Sequence, residues 1–144
     1  MSIKRIGKGF GFKKSKQKFD RFKIAAPKVI ANNSLNWFLQ GFREGGGRTD
    51  AGKWQRRQPN TRRNEGRALL VNTGALKRDL QVLMARFGKI TLGTRNIPYA
   101  VRHNEGTTDR LGRKMPKREF VGNSKKLNAQ NIETLEKMLK DIFK

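Results

Sequence analysis

An α+β fold, a small antiparallel sheet packed against an N-terminal and a C-terminal helix, is predicted by three features of this sequence. Apolar residues recur at three- and four-residue steps from Phe19 to Phe42, which is the period of a helix with one buried face. They do so again from Ile132 to Phe143. Between these runs, Leu80–Thr94 alternates like two strands around a Phe87-Gly88-Lys89 turn. We expect a single domain over residues 19–144, preceded by a flexible basic arm over 1–18. Two basic loops, 43–68 and 107–117, should interrupt the domain.

The arm is inferred from charge and glycine. Lys and Arg crowd Met1–Lys28 against the single acid Asp20, and Gly7, Gly9 and Gly11 oppose a helix. Its GKGFGF run lacks the G-x-x-x-x-G-K-[ST] spacing of a phosphate loop and follows no strand. The first helix should start near Ala26, because an interior proline costs about 3 kcal/mol while a first-turn proline such as Pro27 costs little. It should run to Gln40 or Phe42 and stop at Gly45-Gly46-Gly47.

In the first loop, Arg48, Lys53, Arg56, Arg57, Arg62, Arg63 and Arg67 surround one tryptophan, Trp54, expected to anchor back on the core. Thr73 suits an N-cap, with Gly74–Asp79 a short helix turning Leu76 and Leu80 inward. Helical spacing continues equally well through Leu83 and Phe87. We take the hairpin because a strand over Ile90–Thr94 needs a neighbour. Pro98 then opens a short helix through Tyr99–Asn104, ended by Gly106. Arg110, Arg113, Lys114 and Lys117 make the second loop basic, with a hairpin tip at Arg110–Gly112. Arg118–Val121 returns to the core as a further strand. The last helix starts near Asn128, with Ile132, Leu135, Leu139 and Ile142 or Phe143 inward and a Glu133–Lys137 pair outward.

Composition narrows the functional classes. A chain of 144 residues buries roughly 65–70% of its unfolded surface. It has no cysteine and one histidine, so thiolate and histidine-rich metal sites are not expected. No run approaches about 18 apolar residues, so no membrane span is expected; nor is a secretory leader. The net charge of +23 implies polyanion binding that salt screens strongly, or residence beside acidic surfaces. No catalytic constellation stands out. His103 and Glu105 are two apart and do not face each other on a helix, Ser34 and Ser124 have no paired base, and Asp79, Glu105, Asp109 and Glu119 are scattered. We expect no enzyme activity and no cofactor.

Six segments in order carry a resemblance: NWFLQGF, Gly52-Lys53-Trp54, LVNTGALKRDL, ITLGT, PYAVRHNEG and MPKREFVG. From Ala26 onward the chain resembles the virion morphogenesis, or tail-completion, family of Mu-like tailed phages. It departs from that family's pattern at Asn104, where glutamine is usual, and at Glu119, where proline is common. The resemblance implies a structural virion protein of the phage neck, made in the host cytoplasm. It would form a homo-oligomeric, hexameric ring between the portal or head connector and the tail terminator or tail tube, around the packaged DNA. It also implies that Trp54, Thr73, Gly74, Leu76, Gly93, Tyr99, His103, Gly106, Arg118 and Phe120 are structural. In that reading Tyr99 and His103 lie one turn apart on one helix face, with Arg118 and Phe120 beside them, and Tyr99 and Phe120 are core rings. The basic loop residues then face DNA or a neighbouring protein. The alternative is a stand-alone basic nucleic-acid-binding protein.

Overall fold

The longest element of the computed structural model, which describes residues 11–57 and 67–144, is α1, Phe12–Glu44. At 33 residues it is about 50 Å long. It passes through Pro27 without stopping, so the expected start near Ala26 is corrected, and so is the boundary of the arm at residue 18. Residues 1–10 lie outside the described residues. Tertiary packing outweighs the proline here. The stripe Phe22, Ala26, Ile30, Ala31, Ser34, Phe38 and Phe42 is buried on both sides of Pro27. The last helix, α4 (Lys125–Phe143), lies antiparallel against it. Asn131 Nδ2 donates to Ser34 Oγ at 3.2 Å, and Lys18 Nζ donates to the carbonyl of Ile142 at 3.3 Å.

Gly45 ends α1 in the left-handed conformation. The chain then folds back at once. Gly46 pairs antiparallel with Lys53, Trp54 N–H donates to Gly45 O at 2.9 Å, and Lys53 Nζ caps the helix by donating to Glu44 O at 2.9 Å. This places Trp54, as expected, in the core beside Phe42, with ring centroids 5.5 Å apart. Its indole N–H donates to Glu119 O at 2.9 Å, so the ring is satisfied as well as buried.

The short helix α2 (Ala75–Asp79) is where the sequence predicts it, with Leu76 and Leu80 buried. Its N-cap residue, however, is Gly74, at φ 76°; Thr73 contributes by accepting the Ala75 N–H at 3.3 Å. The expected hairpin follows as β1 (Gln81–Arg86) and β2 (Lys89–Gly93), antiparallel, with a bulge at Leu83. It packs on α1. Gly93 is small because Leu83 lies over it: an added Cβ would come 3.1 Å from Leu83 Cδ1. Asp79 accepts the Arg95 and Asn96 N–H groups at 2.7 and 2.8 Å and so fixes the exit of β2.

Helix α3 (Ala100–Glu105) starts after Tyr99 and ends at Gly106, close to the expected span. Strands β3 (Thr107–Thr108) and β4 (Lys114–Met115) form a second hairpin with its tip at Arg110–Gly112. The segment Arg118–Val121 comes back to the core as extended coil rather than as a paired strand. Asn104 Oδ1 holds it by accepting both the Phe120 and Val121 N–H groups, at 3.0 and 3.1 Å. Phe120 is buried against Phe42. Tyr99, expected in the core, is instead 41% exposed. Helix α4 begins earlier than expected, because Ser124 Oγ accepts the Leu127 N–H as a true N-cap. Of its predicted inward face, Leu135, Leu139 and Ile142 are half-buried, joined by Leu127 and Met138, while Ile132 is exposed, as is Phe143.

The class is therefore the expected α+β arrangement, with two hairpins and the two terminal helices packed around the sheet. One core joins Phe38, Phe42, Trp54, Leu76, Leu80, Ala100, Phe120 and Leu127. Among the described residues no helix is long and apolar enough to cross a membrane.

Candidate interaction surface

The basic residues of the first loop divide by what they touch. Arg48 lies over the Trp37 ring at 4.5 Å and pairs with Glu44, and its carbonyl accepts the Trp37 indole N–H at 2.6 Å. Lys53 caps α1. Both were expected to face a partner, and both are instead committed to closing the turn after α1. The reason is local: a helix C-terminus exposes carbonyls, and nearby cations satisfy them. The Glu44 carboxyl is held below its usual range, first by the hydrogen bond from Arg48.

Arg57 donates to the carbonyls of Arg67 and Ala68, at 3.3 and 3.1 Å, and Arg67 donates to Asn72 Oδ1 at 2.6 Å. Arg62 and Arg63 lie outside the described residues. Arg56 is exposed and joins Lys114, Lys117 and Arg118 around an open cleft of about 600 Å³. Among the described residues Glu105 is the one acid in that lining, and Lys117 Nζ lies 3.5 Å from the Glu119 carboxylate.

The β3–β4 hairpin is a basic feature open to solvent throughout. Every residue from Thr107 to Met115 is exposed. Asp109 braces the tip: its carboxylate accepts the Leu111 and Arg113 N–H groups at 2.9 Å and the Arg113 Nε at 2.6 Å. These bonds, the Arg113 backbone first, hold the Asp109 carboxyl below its usual range. Arg113 is thus partly a brace, while Arg110 and Lys114 stand outward. At the base of the hairpin Gly106 takes φ 75°, and a Cβ there would lie 3.0 Å from Lys117 N and from Met115 O, so only glycine fits.

Tyr99, His103 and Arg118 meet as the resemblance implies. The Tyr99 and His103 rings are edge to face at 5.6 Å, and the Arg118 N–H donates to His103 O at 2.8 Å. With Arg57 and Thr73 they line a second cavity, of about 530 Å³. The Arg118 guanidinium is half-buried, with Nε donating to Gln55 O at 3.1 Å. Its pKa is lowered, by burial first and then by the Arg57 charge.

Burial, and then the Arg118 charge, also lower the His103 pKa from 6.5. An unfolded chain therefore takes up this proton at higher pH than the folded one, and stability is lost as pH falls below about 6.5 toward the folded value. Thermal melts between pH 7.5 and 5 should show that loss, and His103→Gln should flatten that part of the profile (pH range set by the ordinary histidine value of about 6.5). An unchanged profile in the variant would assign the loss to other groups.

Among the described residues no three His, Asp or Glu side chains converge as a metal ion would require. Reading the sequence missed Asp50, whose Oδ1 accepts the Lys125 N–H at 3.1 Å and ties the first loop to the start of α4. It also missed that Arg118 forms a wall shared by two cavities. Neither has a sequence signal, since the partners lie tens of residues away. No family model, curated protein or solved structure matches this chain.

Proposed function

We propose that this protein is a structural subunit of a tailed-phage neck, a ring that joins the head connector to the tail and surrounds the DNA path. The observation that carries the reading is the braced basic hairpin standing on a rigid frame. The segments behind the resemblance support it by where they fall. LVNTGALKRDL forms α2 and its approach, ITLGT closes β2, PYAVRHNEG forms α3, and MPKREFVG runs from β4 back to the core. All but the start of MPKREFVG are frame; the hairpin and Arg56 are the outward chemistry. In a ring, such hairpins set a circle of positive charge against a polyanion without reading its sequence.

Replacing Arg110 and Lys114 by Gln tests this. Both are exposed, so melting should be unchanged, while particles complemented with the variant should lose DNA or fail to join tails. Wild-type particle yield from that variant would overturn the role of the hairpin. Electron microscopy of complemented particles should place the subunit at the head–tail junction, and any other position overturns the neck assignment. The charge of +23 also favours a free nucleic-acid-binding protein. That reading requires tight duplex binding by the isolated chain at moderate salt, with a steep salt slope.

A further inference from the structure

The tip of the β1–β2 hairpin carries side chains that the fold itself does not explain. Arg86 and Lys89 are register partners on either side of the two-residue turn Phe87-Gly88, so two cations stand opposite each other. Like charges in that position disfavour a hairpin. Among the described residues neither forms an ion pair or a side-chain hydrogen bond. Gly88, at φ 84°, closes the turn. Asn, Asp or Gly would suit the position before it, yet that position holds Phe87, 59% exposed.

An open groove of about 250 Å³ lies where this tip meets α1 and α4. Pro27 and Ile30 from α1, Ile90 from β2 and Leu135 from α4 make its apolar lining, and Arg86, Phe87 and Lys89 are its exposed edge. No Asp or Glu is among its described lining residues, and none of these adjoins residues 1–10 or 58–66 in sequence. The groove is smaller than the usual small-molecule site. It suits one apolar side chain, with the two cations set to receive carboxylates beside it. That pairing of an apolar anchor with complementary charge is how short segments of one protein dock on another.

We propose that this groove docks an acidic segment of a partner protein, with one aliphatic side chain of the segment held against Ile30, Ile90 and Leu135 and its carboxylates on Arg86 and Lys89. Burying the anchor supplies position, and the carboxylates relieve the like-charge pair across the hairpin. A nucleic acid would meet the two cations but would leave the aliphatic lining unused. The site does not rest on the neck reading: it concerns what the isolated chain holds, not where the chain sits in a particle.

The test is fluorescence anisotropy of a labelled synthetic peptide of about ten residues, one central leucine flanked by glutamates. Two control peptides replace the leucine by alanine or the glutamates by glutamine, and each should bind roughly tenfold more weakly. Replacing Arg86 and Lys89 together by Gln, or Phe87→Ser alone, should weaken the parent peptide by a similar factor. All three side chains are exposed, so melting should be unchanged. Replacing Arg110 and Lys114 by Gln, outside the groove, should weaken it less than about threefold, a generic charge effect. Two results overturn the site: an alanine peptide that binds as tightly as the parent, or tip variants that lose no more than the Arg110 and Lys114 variant. Laurate competing as well as unlabelled parent peptide would give the groove to a lipid instead. Sedimentation of the isolated chain covers the remaining occupant: an oligomer that the tip variants dissolve would mean that a second copy fills the groove, and would overturn an external partner. If a tip variant does not fold, the three peptides against the unaltered chain decide the question.

Discussion

Phe42→Ala should cost this protein about 3–5 kcal/mol, a large share of the stability of a domain this size. Phe42 is 1% exposed and meets Trp54 and Phe120 at centroid separations of 5.5 and 5.7 Å. Those three rings come from α1, from the turn after it and from the segment returning ahead of α4. Truncating the central one leaves a cavity that none of these elements closes alone. Urea denaturation should show the loss as a lower midpoint with the slope retained. Phe120→Ala should fall in the same range, while Tyr99→Ala, at a half-exposed ring, should cost no more than about 1 kcal/mol. Equal losses at Phe120 and Tyr99 would mean that the core does not lie where it is described.

Gly46→Ala should destabilise the fold by about 3 kcal/mol, more than any other glycine substitution in the first turn. Two effects add. The residue holds φ 91°, which a Cβ disfavours, and that Cβ would stand 2.6 Å from Trp54 Cδ1 and 2.7 Å from the Trp54 backbone nitrogen. Relieving the clash moves either the indole or the bridge between Gly46 and Lys53. Gly45→Ala is the control: φ is also positive there, but nothing lies within 4 Å of the added atom. Thermal melts of the pair separate strain from collision. Equal losses would remove the collision from the account.

How much of this was legible beforehand differs by element. The hairpin, α2 and α3 follow from local signals: Gly88 at the turn, Gly106 at the helix end and alternation between them. The class of fold follows from those and the two amphipathic runs. Side-chain destinations were less legible, because they depend on partners distant in sequence. Arg48 and Lys53 read as loop cations, yet an exposed helix end and an indole face claim them. Tyr99 is a core ring in the reading the resemblance implies, yet it stands beside His103 at a cavity that leaves it open on one side. In α4, Ile132 fits the predicted stripe, while the actual face is set by Asn131 meeting Ser34 of α1, a polar contact that hydrophobic spacing does not register.

Pro27 misled the reading of α1, and its position has a consequence of its own. A proline has no N–H to satisfy, and its ring already holds the backbone angle of a first turn. A helix that starts at Ala26 therefore loses nothing there. The helix that starts at Phe12 carries an extra outer section, braced by α4. α1 in effect contains two valid beginnings, one inside the other. Fraying that reached Pro27 would therefore meet a well-formed helix start there, ahead of the aromatic core around Phe42.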